Sequence, residues 1–158
     1  MNKKYEFTGE IKTEFGVTLQ RIRALLSFGV INKGDIGGWI SSKHNLSANG
    51  NAWVYGEARV YGEARVSGNA LVSGKARVSG DAQVYGKADL FLVGPLGSRR
   101  AYLTVHTDTK LSVRFTTGCF SDNQSNFESA IAETHGDNEY ARQYRAAIAL
   151  ALMIVKSK

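Results

Sequence analysis

Asn51-Ala-Trp-Val-Tyr-Gly, Glu57-Ala-Arg-Val-Tyr-Gly, Glu63-Ala-Arg-Val-Ser-Gly, Asn69-Ala-Leu-Val-Ser-Gly, Lys75-Ala-Arg-Val-Ser-Gly and Asp81-Ala-Gln-Val-Tyr-Gly follow one another without a break. The period is six residues and does not slip. Ala and Val stand two apart in every unit, so an extended segment turns both to one face and the residue between them to the other. The closing glycine supplies a corner that needs unusual dihedrals. The linking segments are too short for hairpins, and every segment carries the same pattern. A three-faced wrap, with valine and alanine inside and strands stacked at about 4.8 Å, satisfies both constraints.

The register reaches upstream of the obvious motif. Ile36 and Ala48 fall at the Val phase and Ile40 and Leu46 at the Ala phase, while Ser42 breaks it. This pattern resembles the hexapeptide-repeat family of left-handed parallel β-helices. The resemblance implies about 18 residues per coil, hence about three coils between Ile36 and Leu90, roughly 15 Å tall. The expected fold is mainly β: a β cap over 1–35, a short left-handed parallel β-helix over 36–92, and a C-terminal α+β (ββαα) module over 93–158. Stacking at that spacing sets Glu57 under Lys75 as a surface ion pair, Arg59 under Arg77 and Trp53 under Leu71, with Tyr55 near Ser73 and Phe91. Trp53, Leu71 and Tyr55 would then form an apolar strip on the outer wall, the mark of an interface. Related coils associate as trimers, so the resemblance implies a homotrimer.

Around the repeat, Tyr5-Glu-Phe, Glu10-Ile-Lys-Thr and Val17-Thr-Leu-Gln-Arg-Ile-Arg-Ala-Leu read as short strands separated by Gly9 and Gly16. Lys33-Gly-Asp-Ile-Gly-Gly-Trp-Ile and Asn45-Leu-Ser resemble a leader that precedes such repeats in uncharacterised bacterial and phage proteins. No Gly-Lys-Ser/Thr follows Gly34-Asp-Ile-Gly-Gly, so that stretch reads as tight turns and not as a phosphate loop.

Beyond the repeat the character changes. Tyr102-Leu-Thr-Val-His-Thr and Leu111-Ser-Val-Arg-Phe alternate as two strands of a hairpin around Asp108. Ser125-Asn-Phe-Glu has the form of a capping box, opening a helix through Phe127, Ile131 and His135 that Gly136 ends. Asp137 caps a second helix with an apolar stripe of Tyr140, Tyr144, Ala147, Ile148, Ala151 and Val155.

The 158 residues are 43% hydrophobic with one proline, a folded composition. No apolar run follows Met1-Asn-Lys-Lys, and none approaches a membrane span, which suggests the cytoplasm. The single Cys119 rules out an internal disulfide and a multi-Cys zinc site, and no cofactor or metal is expected. The net charge of +6 spreads evenly, +2 in each of 1–35, 36–93 and 94–158, unlike a nucleic-acid-binding stripe.

Gly94-Pro-Leu-Gly-Ser-Arg, Thr117-Gly-Cys-Phe and Thr134-His-Gly-Asp-Asn resemble a tail found with these repeats in phage and bacterial proteins. They set small and polar residues at three element ends whose convergence would build a binding site. Ser98, Arg99 and Arg100 suit a phosphate or carboxylate, with Arg114 as a further cation and Tyr102 to stack a base. The leading expectation is therefore a non-enzymatic oligomeric binder of a small anionic ligand or a host protein. A nucleotide immune signal, sequestered by a phage-borne counter-defence sponge, is its most concrete form. Two enzymatic expectations stand beside it: a Cys-His hydrolase using Cys119, His135 and Asp137, and the acyl transfer that the hexapeptide resemblance implies, with His44, at a turn by phase, the one histidine of the coil region. A structural phage component is the third.

Overall fold

The structure, a computed structural model, describes residues 2–80, 82–86, 89–107, 112–118 and 120–155. Strand β1 (Tyr5–Glu14) turns back on β2 (Val17–Ala24) through Phe15 and Gly16, both at positive φ (53° and 72°). Two central residues of that hand match the twist of a tight hairpin. Strand β3 (Ile36–Ile40) lies antiparallel to β2, pairing Arg21 with Trp39. It then runs parallel to β5 (Arg59–Val60), which runs parallel to β8 (Arg77–Val78). Strands β4 (Trp53–Val54) and β7 (Leu71–Val72) pair in parallel, as do β6 (Arg65–Val66) and β9 (Gln83–Val84).

These pairings correct the expected fold class. Among the described residues the strands form four separate sheets, one of them mixed and one antiparallel, in place of a single left-handed parallel β-helix. The physical reason lies in the flanking segments. The N-terminal hairpin joins the repeats edge-on, adding β1 and β2 antiparallel to the β3-β5-β8 ladder. The β3 glycines make that junction possible and are not turn residues. A Cβ at Gly37 would stand 2.7 Å from the Val54 carbonyl oxygen, and one at Gly38 2.7 Å from that of Ala58.

The C-terminal part also differs from a two-strand, two-helix module. Strands β10 (Leu90–Leu96), β11 (Ala101–Thr107), β12 (Val113–Thr117) and β13 (Phe120–Asn123) form a four-stranded antiparallel sheet in that order. The expected turn at Asp108 and the start of its second strand at Leu111 lie outside the described residues. Helices α1 (Gln124–His135) and α2 (Glu139–Ile154) cover one sheet face, where Leu103, Val105, Phe115, Phe127, Ile131 and Ile148 form a core. Both helix starts are displaced from expectation. Asn123, not Ser125, caps α1 by accepting from the Asn126 N–H, and Asn138, not Asp137, caps α2 by accepting from Tyr140 and Ala141.

Inside the repeats, every described Ala and Val of the motif from Ala52 to Val84 is fully buried. Burying each valine contributes about 1.5–3 kcal/mol relative to exposure. Both ends of the repeat region present backbone groups with no further strand to pair, and side chains meet them. Lys4 Nζ donates to the Ser47 and Ala52 carbonyls (3.0 and 2.6 Å), and the Tyr5 hydroxyl donates to Leu46 O at 2.8 Å. Asn45 Nδ2 donates to Gly62 O and Ala64 O. At the other end the Thr104 hydroxyl accepts from the Arg77 N–H (3.0 Å), Asp89 accepts from Tyr85 and Gly86, and the Thr107 hydroxyl donates to Gln83 O (2.6 Å). The last contacts fix β11 against the repeats. No helix among the described residues is long and apolar enough to cross a membrane.

Candidate functional site

Tyr102, Thr104 and His106 alternate with the core residues Leu103 and Val105 on β11, so they face away from the helices, toward the repeats. Where β11 passes β8, a pocket of about 180 Å³ opens, lined by Phe15, Arg59, Lys75, Arg77, Tyr102, Thr104 and Thr116, with Ala101 and Gly118 at one side. The repeat positions its cations. Arg59 and Arg77 occupy the outward place between Ala and Val and pair directly across β5 and β8. Like charges set opposite one another repel unless something of opposite sign lies between them or beside them.

Each cation is steadied by an aromatic ring. The Arg77 and Arg59 guanidinium carbons lie 4.4 and 5.5 Å from the Phe15 ring centroid, and Lys75 Nζ lies 5.5 Å from that of Tyr102. Phe15 itself stacks on Tyr61 (6.0 Å, 17° between planes). A bulky residue at positive φ is strained. The two non-glycine residues described with positive φ, Phe15 and Arg100, both adjoin pocket-lining residues in sequence or line the pocket.

Among the described residues, the Glu14 carboxylate bonds to this cluster. Glu14 Oε2 accepts from Arg59 Nη1 at 2.9 Å, and Glu14 Oε1 pairs with Lys12 at 2.9 Å. Burial raises the Glu14 pKa, but the Arg59 and Lys12 hydrogen bonds outweigh it and hold the carboxyl below its ordinary range. Arg59 Nη2 donates to Lys75 O at 2.9 Å, while Arg59 Nε is buried with no acceptor among the described residues. Behind the pocket, fully buried His106 has Nε2 3.5 Å from the Thr116 hydroxyl, which lies 3.1 Å from that of Ser121.

The three tail segments do converge, in a second cleft of about 330 Å³. Ser98 and Arg99 come from the first, Thr117, Gly118 and Phe120 from the second, and Thr134 and His135 from the third, with Ala130 and Tyr144 completing the walls. Ala101 and Gly118 line both this cleft and the cationic pocket. Gly97 admits Tyr144: a Cβ there would stand 2.8 Å from its Cε2. Gln143 Oε1 fixes the same turn by accepting from the Gly97 N–H (2.9 Å). Burial raises the Tyr144 pKa against the opposing influence of Thr117 and the Arg99 charge. The Thr117 hydroxyl, though close enough to influence Tyr144, is buried without a hydrogen bond of good geometry.

The expected ligand residues are therefore divided. Ser98 and Arg99 line the cleft and Tyr102 the cationic pocket, while Arg100 is exposed at its turn and Arg114 Nη2 donates to Ser121 O at 3.2 Å. The catalytic expectations find little geometry. Cys119 lies outside the described residues. His135 packs on the rings of Tyr140 and Tyr144 (5.7 and 6.1 Å), and Asp137 directs its carboxylate to Arg145 (2.8 Å). His44 sits half exposed beside Glu63, 3.3 Å from its carbonyl oxygen.

The expected interface residues are also corrected. Trp53 is fully buried within the chain, edge-on to Phe28 (5.4 Å) and Tyr5 (6.4 Å), and has no surface to give a partner; Leu71 and Tyr55 are half-buried against the same core. Glu57 bonds Lys12 (3.4 Å) and Arg21 (3.5 Å) in place of Lys75, which leaves the Lys75 ammonium to the pocket.

Sequence reading missed Arg59, Lys75 and Arg77 as site residues. A signal was present, since stacking one arginine on another at the repeat spacing is unfavourable without a counter-charge. No protein-family model matches the chain, and no curated protein matches it.

Proposed function

We propose that this protein is a non-enzymatic binding protein for a small anionic ligand, held between the repeats and the C-terminal sheet by Arg59, Lys75 and Arg77. The observation that carries this reading is the pairing of Arg59 directly with Arg77, beside Lys75, in one pocket. Cations gathered in one pocket favour a ligand that brings negative charge. The aromatic rings beneath them hold the guanidinium groups in place before binding, which lowers the ordering cost of association. Thr104, whose hydroxyl accepts from the Arg77 N–H, has its own O–H to donate to a phosphate or carboxylate oxygen.

Binding without turnover fits the surroundings better than catalysis does. Asp137 directs its carboxylate to Arg145, and among the described residues no acid bonds the His135 ring. Native mass spectrometry of protein purified from cells, read before and after denaturation, tests the reading. A released anionic small molecule, retained by the wild type and lost from Arg77→Met, is the expected result. Equal retention by both proteins would contradict it.

A further inference from the structure

We infer that the cationic pocket and the adjoining cleft are two halves of one site, and that the ligand joins an anionic group to a planar aromatic ring. This rests on the anion-binding reading above and adds the chemical class of the ligand.

Continuity is the first ground. The two spaces share Ala101 and Gly118, the smallest available walls, and a Cβ built on Gly118 would meet nothing within 4 Å. One ligand is inferred to reach both spaces across this small-residue wall.

Contrast is the second. The pocket is cationic and, at about 180 Å³, small enough to be filled by a phosphate-sized group. The cleft carries one cation, Arg99, and its walls include Phe120, Ala130, His135 and Tyr144. A shallow apolar recess of about 120 Å³, lined also by Phe127 and Ile131, adjoins it. A longer polyanion would find one positive charge there and an apolar floor, so the second half of the ligand is uncharged and flat. Phe120 and Tyr144 line this half, Tyr144 with its ring stacked on His135, and an aromatic wall of this kind favours a flat ligand. The third ground is the Thr117 hydroxyl, buried at the cleft wall without a good partner of its own. A heteroatom on the ring edge would satisfy it.

A nucleoside monophosphate has this form, and phenyl phosphate is its simplest analogue. Calorimetric titration of the full chain at low salt with inorganic phosphate, phenyl phosphate and adenosine monophosphate tests the inference. The ring-bearing probes should bind at least tenfold tighter than phosphate. Ala130→Trp, which fills the cleft from α1, should bring that ratio close to one, and Thr134→Trp, entering from the exposed rim, should do the same if the first variant folds poorly. Arg77→Met should weaken all three probes together. Equal affinity for phosphate and both ring-bearing probes, unchanged by either tryptophan, overturns the bipartite ligand while leaving the anion pocket standing. Failure of all three probes to bind overturns both.

Discussion

The β4–β7 face and the β5–β8 face are built from the same repeat, with the same buried Ala and Val and the same eighteen-residue pairing, yet their outward residues meet opposite fates. Trp53 on Leu71 is sealed under Phe28 and Tyr5 of the same chain. Arg59 on Arg77 opens into a pocket closed by a strained hairpin tip and a sheet from the other end of the sequence. The backbone is indifferent to the outward residue, so that position is where the chain places either core or function. Which of the two it becomes depends on what the flanking segments bring against it.

Several substitutions sharpen or break that contrast. The largest effect belongs to Trp53→Ala, which should cost about 3–5 kcal/mol in denaturant unfolding because a large buried ring leaves a cavity. A loss below 1 kcal/mol would show that Trp53 is not sealed. On the other face, Arg77→Met should cost clearly less stability than Trp53→Ala, while weakening phosphate binding about tenfold, or 1.4 kcal/mol. Equal effects of both substitutions on stability would erase the distinction.

A smaller effect concerns Lys4, 4% exposed, whose pKa burial lowers to about 8 from 10.5. Between those values the unfolded chain holds more protons than the folded one, so stability should rise with pH across that window and level off above it. Two carbonyl acceptors and the Phe28 ring (4.7 Å) favour the ammonium, which keeps the expected gain to about 1 kcal/mol. Lys4→Met should flatten that part of the stability profile, and an unchanged slope would remove Lys4 as its source.

The smallest effect is that of Glu14→Gln, about 0.5 kcal/mol of stability, because the Arg59 pair is partly exposed. Its folded pKa lies below the ordinary value, so the pair's contribution is present above the unfolded pKa and fades as pH falls through the folded one. Removing this counter-charge should strengthen phosphate binding two- to fivefold. Weaker binding would assign Glu14 a direct role in holding the ligand.

Much of this architecture was legible in the repeat itself. Period six with Ala and Val two apart foretold which side chains are buried, and the stacking distance foretold the Trp53–Leu71 and Arg59–Arg77 pairs. What escaped reading depends on segments distant in sequence. Nothing local in Tyr5 or Phe28 announces that they cover Trp53, and Phe15 looks like an ordinary hairpin residue until Arg77 lies under it. Strand β10 straddles the expected boundary at 92/93, and its Gly94-Pro95 interrupts any alternation. The caps at Asn123 and Asn138 were misplaced because neighbouring Ser125 and Asp137 carry equally good capping groups, and only the backbone entry angle separates them. At the site, the tail segments were visible as a set of loop ends, whereas the cations they adjoin were hidden inside a motif that looked purely structural.

The central claim is that Arg59 and Arg77 form an anion site, and the guanidinium Nε–H resonances of the full chain report on it directly. Titrated with inorganic phosphate at low salt, the Arg59 and Arg77 signals should shift saturably, while those of exposed Arg142 and Arg145 on α2 should stay near their starting positions. Shifts of equal size at all four arginines, or none that saturate, would contradict the account.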